Sequence, residues 1–379
     1  MDFDLTEEQR LLKDSVDRLV TDKYDFESRK RYGEGEHGFS PEMWAQFAEL
    51  GLLALPFAEE HGGFGGGPVE LMLVMESLGR ALALEPYMAT VVLAGGALRH
   101  AGTEEQKAEI IPAVAAGERI LAFAHQERAA RFELVHVGAT ARPDGGSYSI
   151  DGEKSLVLNG DAADTFVVSA RVSGSERDRD GIGLFLVDAN GPGVTRRAYQ
   201  TQDGLHAAEV TFAGAPGRPM GEPGRAMDVI DRVADEAIAG LCAEAIGAMT
   251  EMHASTVDYL KTRRQFGVPI GAFQALQHKA VDMFIALEQA RSITMYATMM
   301  AGSEDAAERR RATSAAKVQV GRSCRLVGQH AIQLHGGIGV TWEYKVAHAF
   351  KRATMIDLAF GDADFHMAKL AEAGDPIAI

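Results

Sequence analysis

The sequence is short of cysteine, of positive charge and of long apolar runs, and each shortage removes a class of function. Only two cysteines occur in 379 residues, Cys242 and Cys324, so there is no disulfide framework and no CxxC metal site, and no metal is expected. Both lie in helical patterns rich in small apolar residues, where buried, inert thiols are found. Lys and Arg number 38 against 54 Asp and Glu, a formal net charge of −16. That balance argues against nucleic acid and against anionic membrane surfaces, because neutralising phosphates takes a basic face. A local basic pocket for one anionic cofactor stays open. No apolar run approaches the ~20 residues that span a bilayer. The opening Met1-Asp-Phe-Asp has neither a basic segment nor an apolar h-region, so no secretory signal is visible and the expected location is cytoplasmic.

What is present is ordinary for a soluble enzyme of two or three domains, with 46% hydrophobic and 24% charged residues. Residues 1–120 read as an N-terminal α-helical domain. Thr6-Glu-Glu-Gln9 and Thr103-Glu-Glu-Gln106 are capping boxes, and Ser40-Pro41 offers an N-cap followed by proline at the first helical position. The connector from Glu59 to Gly67 is polar and glycine-rich but lacks the Lys-Ser/Thr of a P-loop. A helix is expected from about Val69 to Leu82.

Over 121–224 the period changes to two, and Asp-Gly and Asn-Gly turns punctuate short strands, as in a small barrel or sandwich. Residues 225–379 return to helix in four long segments near 225–262, 272–301, 306–335 and 343–372, the pattern of an antiparallel four-helix bundle. The fold class is therefore mainly α with a central β domain.

Gln333-Leu-His-Gly-Gly-Ile-Gly339 forms a glycine corner between two of these helices. It reads either as a helix C-cap with a tight turn or as a corner whose amides and Gln333 receive a nucleotide. The corner alone leaves both open.

Three motifs carry a resemblance over nearly the whole chain: Leu55-Pro56 with Glu60-His-Gly-Gly63, Arg263-Arg-Gln-Phe-Gly267 with Gln274, and Gln333-Leu-His-Gly-Gly337. With the α, β, four-helix order they make the chain resemble the acyl-CoA dehydrogenase family. More narrowly, it looks like chains described as the small subunit of a bacterial pimeloyl-CoA dehydrogenase. The resemblance implies an FAD-dependent α,β-dehydrogenation of an acyl-CoA thioester, with an electron-transferring flavoprotein as acceptor. It also implies that Arg263, Phe266, Gln274, Gln333 and Gly337 hold the diphosphate and adenosine end of an FAD carried mainly by a neighbouring subunit. A guanidinium suits a diphosphate, because it offers several donors and a charge that survives burial.

The departures are as informative as the matches. The family's usual base, a glutamate that takes the α-proton, aligns with Phe360, and the alternative position aligns with Ala237, followed by Ile238 instead of arginine. Two acids lie near the alternative position. Glu236 is one residue off and so turned by about 100°, and Glu244 lies two turns along. Either would need a local shift to act as base, and the plainer readings are a solvated glutamate and a polar bundle or interface residue. The flavin-ring strand of the family, W-I-T-N-G, is here Leu156-Val-Leu-Asn159-Gly160, and its T-E-P-x-x-G-S-D signature is reduced to Gln126-Glu-Arg-Ala-Ala-Arg131. The residues lost serve a flavin in the chain's own cleft, and those kept serve a neighbour's. The expectation is one subunit of a heteromeric α2β2 enzyme. The alternatives are a self-sufficient homotetramer using Glu236 or Glu244, and a binding or structural protein of the same fold.

Overall fold

The computed structural model describes residues 5–374. Both capping boxes form. Thr6 accepts from the Gln9 amide while the Gln9 side chain accepts from the Thr6 amide, opening α1 (Glu7–Lys23). After α2 (Phe26–Gly33), Ser40 caps α3 (Pro41–Glu49) with proline at its start, and α4 spans Pro68–Ala81. The next stretch, Met88–Ala94, winds as a π-helix into α5 (Gly95–Ala101), and Thr103 then caps α6 (Glu104–Ala115). Every residue from Met88 to Leu98 is buried, so the segment has no polar face from which a period could be read.

Seven strands follow: β1 (Leu121–Ala124), β2 (Thr140–Asp144), β3 (Ser147–Leu158), β4 (Thr165–Arg171), β5 (Ile182–Asp188), β6 (Val194–Gln200) and β7 (His206–Met220). The ladder runs β4, β2, β3, β7, β5 and returns to β4, a closed ring that favours the barrel over the sandwich. β1 adds parallel to β4, and β6 adds antiparallel to β7. Ile150, Phe166, Val168, Phe185, Val187 and Phe212 fill the core, each contributing about 1.5–3 kcal/mol by leaving water. The Arg171 guanidinium gathers the carbonyls of Val137, Glu176, Asp178 and Asp180 at 3.0–3.1 Å, satisfying loop backbone at one end of the sheet.

The rest is helical: α7 (Met227–Thr262), a two-stranded hairpin of β8 (Arg264–Gln265) and β9 (Val268–Pro269), α8 (Gln274–Ala301), α9 (Ala306–His335), a 3-10 turn over Gly336–Val340, α10 (Lys345–Leu358) and α11 (Ala363–Glu372). The single segment expected over 343–372 is thus broken in two. Phe360 and Gly361 take φ values of 58° and 109°, which no helix accommodates, and Asp362 caps the new helix at the Phe365 amide. A Cβ on Gly361 would lie 2.3 Å from the Phe365 ring, so only glycine fits there.

The chain packs as two compact units. One gathers residues up to Lys30, Pro68–Ala83 and the chain from Ile238 on; the other gathers Arg31–Gly67 and Leu84–Ala237. In the first, α4 and α7 cross so closely that a Cβ on Gly79 would meet the Glu244 carbonyl at 2.0 Å, and one on Gly247 would meet that of Glu76 at 2.0 Å. Cys242 and Cys324 are buried and free, as expected, and burial pushes the Cys242 thiol up to about 12. Among the described residues no helix is long and apolar enough to cross a membrane.

Candidate functional site

Helix pairing decides where the expected cofactor residues lie. Gln319 donates to Gln289 at 3.5 Å and Ser323 donates to the Ala286 carbonyl at 2.9 Å, so α8 and α9 run antiparallel in a fixed register. Followed to its end, that register sets Gln333, in the last turn of α9, against the first turn of α8, which Gln274 begins. Arg263 ends α7 at the same end, since only the β8–β9 hairpin and one 3-10 turn separate it from α8. The corner at Gly336–Gly337 continues directly from α9. Residues spread over 75 positions of sequence are thereby brought to one end of one bundle.

All five residues are exposed, and among the described residues the side chains of Arg263, Gln274 and Gln333 make no hydrogen bond or ion pair. The hairpin pairs Arg264 with Pro269 and Gln265 with Val268, leaving Phe266-Gly267 as a two-residue turn with φ values of 54° and 80°. That is the mirror-image turn suited to Asn-Gly; phenylalanine in its first place is strained. The ring is nonetheless 90% exposed, with the Phe273 ring beside it at 6.1 Å. A Cβ on Gly337 would meet nothing within 4 Å, so the chain itself sets no demand for glycine there. Phe273, at the N-cap of α8, supplies no side-chain hydrogen bond, which leaves first-turn amides facing outward with the positive end of the helix dipole. Unspent donors, an unhindered backbone and a helix N-terminus fit the diphosphate and adenosine of a dinucleotide.

The base position is built differently. Phe360 is half-buried, and its carbonyl accepts from His366 Nε2 at 3.0 Å, while Ser314 Oγ lies 3.1 Å from His366 Nδ1. Burial, helped by the nearby Lys317 charge, pulls the His366 imidazole down to about 4. Buried Lys317 donates to the Ile356 and Asp357 carbonyls at 2.6 and 2.9 Å, closing the end of α10. The framework is complete, yet the side chain it presents cannot take a proton.

Neither neighbouring acid is solvated. Glu236 meets Arg99, His100 and Arg232 at 2.5, 2.9 and 3.6 Å. Burial alone would raise its carboxyl, but the His100 hydrogen bond and the three cationic partners hold it below the usual carboxylate range. Glu244 is buried and forms a two-pronged pair with Arg352 at 2.5 and 2.7 Å. The plain reading of Glu236 as a solvated carboxylate is therefore corrected. Sequence spacing could not reveal the pairs with Arg99, His100 and Arg352, which lie more than 100 residues away; only Arg232, one turn before Glu236, was within reach.

The departures in the β-sheet are also structural. Leu156 and Asn159 take left-handed φ values of 51° and 49° around a bulge at the end of β3. Arg196 holds the turn that follows through the carbonyls of Asp161 and Ala163, each at 3.1 Å. Glu127, in the reduced signature, accepts from Lys154 at 2.7 Å and from the Gly138 and Ala139 amides, so its carboxylate is fully engaged. Lys154 is wholly buried; a lysine inside a strand was the one sequence signal for this pair. Glu60, His61 and Glu104 bring ligand-type atoms within 4.8 Å of one another, but Lys107 already holds Glu104 at 2.9 Å.

Comparison with known proteins gives matches along most of the chain: the acyl-CoA dehydrogenase N-terminal domain over 6–118, the middle domain over 122–214 and the C-terminal domain over 227–374. A probable acyl-CoA dehydrogenase of Bacillus subtilis, YngJ, is 28% identical, covering 98% of this chain and 99% of that protein. Among solved structures, a variant of the Tcur3481–Tcur3483 steroid ACAD is 30% identical with a TM-score of 0.87, covering 97% of each chain. The ChsE4–ChsE5 complex from Mycobacterium tuberculosis is 27% identical with a TM-score of 0.89, covering 100% of each chain.

Proposed function

The chain belongs to the acyl-CoA dehydrogenase family of FAD-dependent oxidoreductases, and from that premise we propose that it is one subunit of a heteromeric enzyme. Its bundle end completes an FAD site whose ring pocket and base stand on a related partner chain, in an α2β2 assembly. The observation that carries this is the contrast between the two sites. The nucleotide residues are exposed with their donors unspent, while the base position holds a phenyl ring on a finished framework.

FAD, when bound, would supply the acceptor for the hydride that leaves the acyl β-carbon. The α-proton goes to the partner's base, and the bond between the two carbons becomes double, giving a 2-enoyl-CoA. This chain contributes binding and orientation: Arg263 and the α8 amides toward the diphosphate, Gln333 and the open Gly337 backbone toward adenosine, with Phe266 and Gln274 flanking. An electron-transferring flavoprotein is the acceptor in this reading. The pairs at Glu236 and Glu244 count against a self-sufficient enzyme, since each carboxylate is already paired with cationic side chains.

The test is flavin absorbance of the purified chain alone and after co-expression with a related chain bearing the family glutamate. The isolated chain is expected to be nearly colourless and the complex yellow, near one FAD per two chains. Stoichiometric FAD in the isolated chain overturns the reading. The same complex, offered pimeloyl-CoA beside unbranched monocarboxylic and ring-bearing acyl-CoAs, tests the narrower likeness through the rate of flavin bleaching.

A further inference from the structure

We infer that His335, gripped between Tyr259 and Tyr344, is the positioning residue that holds the 263–269 hairpin and the 336–340 corner in register with each other. This deepens the reading above, since it rests on that end of the bundle binding a nucleotide.

The ring of His335 lies 4.6 Å from Tyr259 and 5.0 Å from Tyr344, centroid to centroid. Tyr259 belongs to α7, His335 ends α9 and Tyr344 caps the start of α10, so one imidazole joins three helices. His335 is buried, and its Nδ1–H donates to the Ala331 carbonyl at 2.8 Å, which fixes the ring along its own helix. Nε2 is buried and makes no hydrogen bond of ordinary geometry, while the Ser255 backbone on α7 also faces the ring. The imidazole is thus fixed by its own helix and by ring contacts to the two neighbouring ones. The corner folds back over it, since a Cβ on Gly339 would lie 2.9 Å from the His335 Cβ.

Three of the residues assigned to the nucleotide, Arg263, Gln333 and Gly337, lie close to this clasp along the chain. The Tyr259 carbonyl accepts from the Arg263 amide at 2.8 Å, so the arginine leaves α7 one turn beyond the first ring. Gln333 lies two residues before His335 and Gly337 two residues after it. A ring displaced by an ångström moves the diphosphate and adenosine contacts apart, and a misplacement of that size weakens a preorganised site by about 10-fold or more.

The test has two readouts. Backbone amide exchange is followed in the purified chain for Tyr259→Leu, Tyr344→Leu, His335→Leu and the ring-preserving Tyr259→Phe and Tyr344→Phe. Coupling predicts that Tyr344→Leu speeds exchange in 263–269 and that Tyr259→Leu speeds it in 336–344, while both phenylalanine variants match the parent. Exchange that rises only beside the substituted residue overturns the proposal. If His335→Leu fails to fold, the reciprocal tyrosine variants decide alone. The second readout is FAD affinity of the partnered complex, expected to fall about 10-fold in His335→Leu and to be largely restored in His335→Phe, which keeps a ring between Tyr259 and Tyr344. Unchanged affinity in a folded His335→Leu complex also overturns it. If the unaltered complex takes up no FAD, the nucleotide reading has failed, and the exchange arm still decides the clasp.

Discussion

Phe266 and Phe360 both sit at positive φ, 54° and 58°, and the same strain has opposite supports. Phe360 is held from inside, by His366 on its carbonyl and by Gly361 beside it. Phe266, by contrast, is 90% exposed at the tip of a hairpin that asparagine would suit better, with the Phe273 ring beside it. A bulky residue in the left-handed region costs about 1–2 kcal/mol, which fits the proposed role of Phe266 toward a bound dinucleotide. Phe266→Asn is expected to slow amide exchange in the hairpin of the isolated chain by about 5-fold or more while weakening FAD retention by the complex. Faster exchange in that variant would show that the ring steadies its own turn, and the argument from strain would fall. The motif residues entered through the resemblance to the family, whereas the residues alone left the glycine corner open between a helix C-cap and a nucleotide site. The strain was not legible, because φ is set by the hairpin register and leaves no mark on composition.

At the scale of elements, caps and periods carried most of the information. Both capping boxes and the Ser40-Pro41 start form, and the short strands close into a ring, because these signals act within a few residues. The π-helix at Met88–Ala94 and the break after Leu358 escaped, the first for want of a polar face, the second because Lys317 and His366 stabilise it from other helices. The same holds for Glu244, whose role depends on Arg352 in α10, 108 residues on. Its pair ties α7 to α10 at the place where α7 also lies against α4 through Gly79 and Gly247. Glu244→Gln leaves a buried guanidinium without its counter-charge and is expected to cost about 3–5 kcal/mol. Glu244→Gln combined with Arg352→Met should recover part of that loss, whereas a catalytic base would show a rate collapse of ~10²–10⁴-fold with stability preserved. Urea midpoints and single-turnover flavin bleaching on the partnered complex separate the two. A stable but inactive Glu244→Gln complex would return the base to this chain.

Taken as a whole, the molecule holds several imidazoles away from water, and this sets its response to acid. Burial pulls His125 down to about 3 and His366 down to about 4, each from an ordinary value near 6.5, and the Lys154 and Lys317 charges push the same way. His335 and His348 are lowered as well, again first by burial. A histidine depressed in the fold binds a proton more readily when unfolded. Its contribution is therefore complete above about pH 6.5, shrinks as the pH falls and is spent once the folded group also titrates, near 4 for His366. A displacement of that size amounts to roughly 3 kcal/mol for the one group. Glu236 and Glu127, held below their ordinary values, add a further loss that starts only as the pH approaches the carboxylate range. Resistance to urea should accordingly be level near pH 7 and decline between 6.5 and 4, before most carboxylates protonate. His366→Gln keeps a donor for the Phe360 carbonyl without an imidazole to titrate, so its decline over that window should be shallower than the parent's. Equal slopes would mean that His366 picks up its proton inside the fold as easily as outside, and that the segment carrying Phe360 is open to water.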